Sequence, residues 1–181
     1  MFFTGLSQIF WVNLIGFQIV WWLSILGRDH TQSLIFFLLL MHFLLHARPL
    51  HEAKVMIICS VLGYAVDTAL TFVGVFVFYE HGGGVYMPPL WLLLLWMGFS
   101  ATLRQSLVFF MDKLPLASIC GSLAGSLTYV AAANLGAVSF GYSVAHTAYL
   151  LAVIWAILFP LLLWISELLG ETHAAHDVKH A

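Results

Sequence analysis

Long apolar stretches follow one another along this chain, and only short polar breaks separate them. The first stretch covers residues 6–26, the last covers residues 146–166, and breaks such as 27–32 and 48–54 lie between neighbours. A helix needs about 20 apolar residues to cross the hydrocarbon core of a bilayer. Only 8% of the residues are charged, against about a quarter in a soluble domain. The sequence therefore predicts an all-α, polytopic integral membrane helix bundle.

We predict one transmembrane domain, residues 1–169, with six transmembrane helices, and five or seven as the alternatives. A polar, histidine-containing cytoplasmic tail, residues 170–181, follows it. The second span is the shortest, because at about 1.5 Å per residue it barely covers the hydrocarbon core. The predicted helices cover residues 6–26, 33–47, 55–78, 89–111, 116–138 and 146–166.

The distribution of Lys and Arg near the ends of the spans predicts the orientation. With six spans, one side of the membrane carries Arg48, Lys54, Lys113 and Lys179, and the other side carries only Arg28. Cytoplasmic loops are enriched in Lys and Arg. We therefore predict a multi-pass protein of the cytoplasmic membrane with its N-terminus and its C-terminus both inside.

Composition and motifs also limit the classes of function. The formal net charge is −2 with no basic stripe, so nucleic acid is not an expected partner. The glycines at 82–84 have neither a preceding strand nor a following Lys-Ser/Thr, so they do not form a phosphate loop. We find no nucleophile elbow, HExxH or redox CxxC pattern and predict no cofactor. Nothing in these motifs identifies an enzyme.

Two ionisable residues fall inside predicted spans, Asp67 in the third and Arg104 in the fourth. Charged groups in hydrocarbon usually face the interior of the bundle and have a partner. The two spans are antiparallel neighbours in sequence, and an arginine side chain is long enough for an Asp67–Arg104 pair. Such a pair either belongs to a ligand or ion site or only fixes the packing of the helices.

Other polar residues are spaced so that they share a polar interior with Asp67. Tyr64 and Thr71 lie three and four residues from it, on the same helical face. Gln18 and Asn13 of the first span lie at similar depths to Asp67 and Arg104, respectively. Together these residues predict a polar, ligand-binding cavity that opens toward the cytoplasm, although small polar residues also stabilise contacts between membrane helices.

Two further patterns have simpler interpretations. His42 and His46 are four residues apart, the spacing of a two-histidine metal site, but no complete ligand set accompanies them. They are weak metal candidates, and interfacial histidines at the end of a short helix explain them equally. Gly121 and Gly125 have the small-xxx-small spacing that lets two helix backbones approach closely. Replacing either with leucine is expected to disrupt the contact with a neighbouring helix.

Two stretches carry a more specific pattern of tryptophans, glycines and hydroxyl residues. One runs from Pro-Pro-Leu-Trp at 88–91 through Leu-Trp at 95–96 and Phe99 to Thr-Leu-Arg-Gln-Ser-Leu at 102–107, and the other from Gly-Ser-Leu-Ala-Gly at 121–125 through Tyr129 to Leu-Gly-Ala at 135–137. They resemble the central signature of an uncharacterised bacterial family, domain of unknown function number twenty-eight seventy-eight. The likeness extends over essentially the whole chain.

The resemblance implies a small protein of the bacterial inner membrane and brings no catalytic residues with it. Members of this family tend to be encoded near proteins that resemble cyclopropane-fatty-acid synthases and flavin-dependent oxidoreductases. That neighbourhood implies a role around lipid acyl chains, by association and not by mechanism.

We therefore expect a membrane protein that binds a lipid or another amphiphile in the polar interior of the bundle and is accessory to acyl-chain modification. The expected partners are membrane lipid and either a second copy of the chain or membrane-bound, lipid-modifying enzymes. One alternative is a small permease or flippase in which Asp67 is a proton- or cation-sensitive group. The other is an intramembrane enzyme in which histidines and Asp67 perform acid–base chemistry.

Overall fold

The computed structural model describes residues 5–78 and 87–177, with side chains described as far as residue 169. Two short strands, β1 (Phe76–Val77) and β2 (Ser139–Phe140), pair antiparallel. The remaining regular structure is helical, which confirms the all-α bundle. The α-helices are α1 (Phe10–Trp22), α2 (Gln32–Leu44), α3 (Pro49–Phe72), α4 (Leu90–Ser100), α5 (Leu114–Asn134) and α6 (Val144–Asp177).

Four helical stretches in the described part of the chain are long and apolar enough to cross a membrane, which agrees with a membrane protein. They are Phe10–Leu44, Pro49–Phe72, Leu114–Asn134 and Val144–Leu169. The structure therefore does not show the predicted count of six spans or their orientation. The difference arises because α4 has only 11 residues and because α1 and α2 form part of one 35-residue stretch.

That first stretch folds back on itself. A π-helical turn, Leu23–Gly27, and a 3-10 turn, Arg28–Thr31, interrupt it between α1 and α2. Arg28 has a positive φ of 47°, which ends the helical path. The backbone N–H of Gly5 donates to the carbonyl of Leu45 at 2.8 Å, so the start of α1 and the end of α2 lie side by side. We call this pair of helices the α1–α2 hairpin.

The third helix begins earlier than the predicted 55–78 and ends earlier. It starts at Pro49, because a proline is compatible with the first position of a helix, where its missing N–H costs nothing. It ends at Phe72, after which Gly74 takes a positive φ of 76° and turns the chain into β1. The polar run that was predicted to be a turn is therefore the first part of α3.

The fourth helix also differs from its prediction, residues 89–111. It ends at Ser100, and residues 101–107 form successive turns before a short 3-10 turn, Val108–Phe110. Hydrogen bonds between residues three apart replace the helical pattern here, such as those from Thr102 N–H to the carbonyl of Phe99 and from Leu103 N–H to that of Ser100. The side-chain amide of Asn13 donates to the carbonyl of Ala101 at 3.0 Å. We call residues 101–107 the broken segment.

Helices α5 and α6 approach each other closely at Gly121 and Gly125, which confirms the interpretation of the two glycines. A Cβ at Gly121 would overlap Phe159, and a Cβ at Gly125 would overlap the ring of Trp155. The helix α6 continues to Asp177, so the predicted tail is partly helical. Residues 178–181 lie outside the described residues.

Candidate functional site

Asp67 lies in the centre of the bundle with both carboxylate oxygens occupied. The indole N–H of Trp96 on α4 donates to it at 2.7 Å, and the hydroxyl of Tyr129 on α5 donates at 2.7 and 2.8 Å. Only 1% of the residue is exposed. A buried carboxylate needs such donors, because burying it without partners is very costly. We call Asp67, Trp96 and Tyr129 the Asp67 node.

Aromatic stacking holds the two donors of the node in place. The ring of Trp96 stacks on Trp155 of α6, with centroids 5.5 Å apart. The ring of Tyr129 stacks on Phe76 of β1 at 5.1 Å. On α3, a Cβ at Gly63 would overlap the Trp96 ring, so this glycine lets the indole reach Asp67. The node therefore ties α3, α4 and α5 together.

The structure does not bring Asp67 and Arg104 together. Arg104 lies in the broken segment and contacts the ring of His51 in the first turn of α3. Among the described ion pairs, none joins it to Asp67. The two residues were expected to pair because they are the charged groups inside neighbouring spans. Neutral donors of Trp96 and Tyr129 satisfy the carboxylate instead.

The other buried carboxylate, Glu52, lies between two histidines near the opposite end of α3. Its Oε1 is 3.3 Å from Nε2 of His42, and its Oε2 is 3.4 Å from Nε2 of His46. Glu52 is 2% exposed and His46 is 6% exposed. Burial and, to a smaller extent, the charge of Arg104 lower the pKa of His46, and Arg104 contacts His51. We call these five residues the Glu52 cluster.

The hydrogen bonds of His46 fix which nitrogen carries its proton. Its Nδ1 accepts the backbone N–H of Arg48 at 3.1 Å, so in the neutral ring the proton is on Nε2, which faces Glu52. The side-chain amide of Gln105 in the broken segment lies 3.1 Å from the same Nε2, and with the proton on Nε2 the group that accepts it is the amide oxygen, which requires the flipped amide. Burial lowers the pKa of His46 below its usual value, while the Glu52 carboxylate opposes that shift. The ring is therefore neutral at neutral pH.

Asn13 holds the broken segment against α1. It donates to Ala101, and its side-chain oxygen accepts the hydroxyl of Ser106 at 2.7 Å. Its side chain is buried, with 5% of the residue exposed. Asn13 thus lies in the bundle interior, and it supplies hydrogen bonds to residues of the broken segment.

A cavity of about 150 Å³ lies between the α1–α2 hairpin and α4. Apolar residues form most of its wall, with Phe17 and Val20 from α1 and Leu39 from α2 among them. Its polar lining residues are Ser7, Asn13 and His42. All three lie toward the end of the hairpin where Gly5 meets Leu45, so the cavity is apolar along its length and polar at one end.

The remaining predicted site residues do not line this cavity. Gln18 is on the exposed face of α1 and points away from the interior. The hydroxyl of Tyr64 donates to the carbonyl of Pro88, and that of Thr71 donates to the carbonyl of Asp67 at 2.8 Å. The hydroxyls of Tyr64 and Thr71 therefore bind backbone carbonyls beside the node, and the structure shows no ligand-facing role for them.

His42 and His46 do come close to a carboxylate, as a metal site would require. However, no group of three or more His, Cys, Asp or Glu side chains in the described residues is placed to hold a metal ion. Both rings face separate oxygens of Glu52 with hydrogen-bonding separations. This arrangement allows the two histidines and Glu52 to share protons.

Sequence reasoning missed the residues that complete both sites. Glu52 was placed in a turn, although Glu52, Met56, Cys59 and Gly63 recur at helical spacing on the face that carries Asp67. That periodicity was the available signal for an earlier start of α3. Trp96 and Tyr129 were noted only as parts of a family pattern, and Ser7 was not singled out.

The fold and these buried clusters define a helical membrane protein with a mostly apolar cavity that has polar residues at one end. The chain belongs to the family described as "Protein of unknown function (DUF2878)", which matches residues 10–161. This confirms the resemblance drawn from the tryptophan and glycine patterns. No curated protein and no solved structure matches the chain.

Proposed function

We propose that this protein binds a lipid or another amphiphile in the cavity between the α1–α2 hairpin and α4. The observation that supports the proposal is the lining of the cavity, which is apolar along its length and has Ser7, Asn13 and His42 at one end. An amphiphile has the same division between an apolar chain and a polar head. Ligand sites commonly combine an apolar wall with a few polar groups that fix orientation.

The size and the position of the cavity suit part of an acyl chain. A volume of about 150 Å³ matches engineered cavities that admit a benzene-sized molecule. Two lining residues, Val12 and Ile19, are 43% and 47% exposed. In a membrane this apolar surface of α1 contacts hydrocarbon, so a chain can enter sideways from the bilayer.

The two alternative functions fit this geometry less well. A proton- or cation-sensitive permease needs Asp67 to meet its cargo, but both oxygens of Asp67 accept protein hydrogen bonds and the residue is 1% exposed. An acid–base enzyme needs Asp67 and the histidines at one substrate. Glu52, which the histidines contact, is 15 residues from Asp67 on α3 (67 − 52), or about 22 Å along the helix.

Gly16 offers a direct test of the cavity. It lines the cavity, and a Cβ there would meet no atom within 4 Å. Gly16→Leu therefore fills the cavity without a clash at its Cβ and improves the helix propensity of α1. We expect the variant to fold and to lose most of the co-purifying amphiphile. The measurement is mass spectrometry of lipid extracted per mole of purified protein.

Ile15→Phe is the matched control, since Ile15 is the preceding residue of α1, is 56% exposed and does not line the cavity. This variant should retain the same amphiphile at the parent level. Equal retention by Gly16→Leu and Ile15→Phe would contradict the proposal. The proposal would also be contradicted if the lipid extracted from the parent protein had the same composition as the bulk lipid, with no amphiphile enriched.

The proposal includes six crossings of a bacterial inner membrane, with both termini in the cytoplasm. It is supported by the α1–α2 hairpin, in which Gly5 meets Leu45, and by the excess of Lys and Arg near one set of span ends. Reporter enzymes fused after residue 181 and within residues 48–54 should both be active in the cytoplasm. A cytoplasmic reporter at residue 82 would refute the six crossings.

The role that we propose for binding is accessory. The family resemblance associates such proteins with acyl-chain modification, and a laterally open cavity can hold a chain at a fixed depth for a partner enzyme. Either a second copy of the chain or a lipid-modifying enzyme would then dock beside the α1–α2 hairpin. Crosslinking from exposed positions of α1, followed by mass spectrometry of the product, tests this part.

A further inference from the structure

The polar end of the cavity has one hydroxyl that is buried without a hydrogen-bond partner. Ser7 lines the cavity and is 4% exposed, and its Oγ has no partner among the described residues. An unpaired polar group in a dry interior is costly and is therefore rare. A ligand atom at this end of the cavity would supply the missing partner.

The two other polar residues at this end differ in what they can offer. Asn13 already donates to Ala101 and accepts from Ser106. His42 contacts Glu52 through Nε2 at 3.3 Å, which leaves the other ring nitrogen outside that contact. Ser7 and His42 are therefore the groups that can bind a ligand head, one through a hydroxyl and one through an imidazole.

Charge at this end opposes an ionised head group. The carboxylate beside His42 belongs to Glu52, which repels a phosphate or a carboxylate. Arg104, which could neutralise an anion, contacts His51 and does not line the cavity. Both oxygens of Glu52 face histidine rings, so the carboxylate is not directed at a cationic head either.

Building on the proposed function, we infer that the amphiphile has a single apolar chain and a small uncharged hydroxyl head, bound by Ser7 and His42. A hydroxyl both donates and accepts, so it can satisfy Ser7 and the ring of His42 together. Fatty alcohols and monoacylglycerols belong to this chemical class. Phospholipids and quaternary ammonium amphiphiles do not.

The test uses full-length protein in nanodiscs and a fatty alcohol that carries a diazirine on its chain. Photolabelled peptides are mapped by mass spectrometry, with competitors of one chain length: dodecanol, dodecyl phosphate and dodecyltrimethylammonium. We expect label on α1, α2 or α4, and dodecanol should compete at about threefold to tenfold lower membrane mole fraction than either charged competitor.

Ser7→Ala should remove most of this advantage of dodecanol while leaving the melting temperature unchanged, because the hydroxyl has no protein partner to lose. The control Ser33→Ala, at an exposed position of α2, should keep the advantage. Stronger competition by either charged amphiphile, or an unchanged preference in Ser7→Ala, overturns the inference but leaves amphiphile binding intact. Absence of label on all three helices overturns the proposed function as well.

Discussion

Two carboxylates on the buried side of α3 lie in different surroundings. Asp67 accepts hydrogen bonds from an indole and a phenol, and both rings are stacked on other aromatic side chains. Glu52 faces two imidazoles, beside a helix that breaks and a cavity. The exposed fractions of the two residues are almost equal, at 1% and 2%. Burial alone therefore does not distinguish them.

The difference lies in the partners and in the backbone around them. The indole and phenol donors of the Asp67 node keep their protons at neutral pH, whereas histidines exchange theirs near it. Irregular backbone at membrane depth is tolerated where protein buries it or where it lines a cavity. The broken segment beside the Glu52 cluster fits this rule. We therefore interpret the node as a packing element and the cluster as a group of side chains that can exchange protons.

Removing both donors of the Asp67 node should produce the largest effect on stability. Trp96→Phe with Tyr129→Phe leaves a buried carboxylate without a partner, at an expected cost of about 3–5 kcal/mol. The measurement is thermal stability in detergent. Tyr149→Phe, at a residue that is 74% exposed, is the control and should melt like the parent. A double variant that melts like this control would mean that the node does not hold the bundle together.

Double-mutant cycles should give different coupling energies at the two carboxylates, an effect smaller than the loss of both donors of the Asp67 node. Glu52→Gln and His46→Gln should couple by roughly 0.5–3 kcal/mol, because the side chains are in contact. Asp67→Asn and Arg104→Gln should add to within about 0.5 kcal/mol, because the structure does not pair them. If Arg104→Gln restored the stability lost in Asp67→Asn, the pair predicted from the sequence would exist after all.

The sequence predicted the features that depend on local pattern. Apolar stretches of membrane-spanning length predicted the class of protein, and the spacing of Gly121 and Gly125 predicted a close helix contact that Trp155 and Phe159 provide. A glycine, which has no side chain, allows a neighbouring helix to approach closely wherever that helix lies in the sequence. Such features are therefore visible without knowledge of the tertiary contacts.

The features that the sequence did not predict depend on contacts between residues far apart along the chain. Beyond the end of α4 at Ser100, the carbonyl of Ala101 accepts a hydrogen bond from Asn13, which is 88 residues away. The partner of Asp67 was sought among charges, because opposite charges are the obvious match for a carboxylate. Trp96 and Tyr129 are common in apolar spans, and nothing in their spacing distinguishes a hydrogen-bond donor from a packing residue.

The smallest expected effect is a pH dependence of stability that comes from His46 in the Glu52 cluster. Burial lowers the pKa of His46 in the folded protein, so below the usual histidine pKa of about 6.5 the unfolded chain binds more protons than the folded one. The contribution of His46 to stability is thus fully present above about pH 6.5 and is lost as the pH falls toward its folded pKa. Acidification should therefore remove the part of the stability that His46 contributes.

The difference between the parent and His46→Gln isolates this contribution. Between about pH 7.5 and about pH 5.5, the melting temperature of the parent should decrease relative to that of His46→Gln. His30→Gln, at an exposed histidine near the other end of the α1–α2 hairpin, should keep the parent slope. If the melting temperature of His46→Gln changed with pH as that of the parent does, the protonation of His46 would not affect stability. The two carboxylates would then differ only in the cavity and the broken segment beside Glu52.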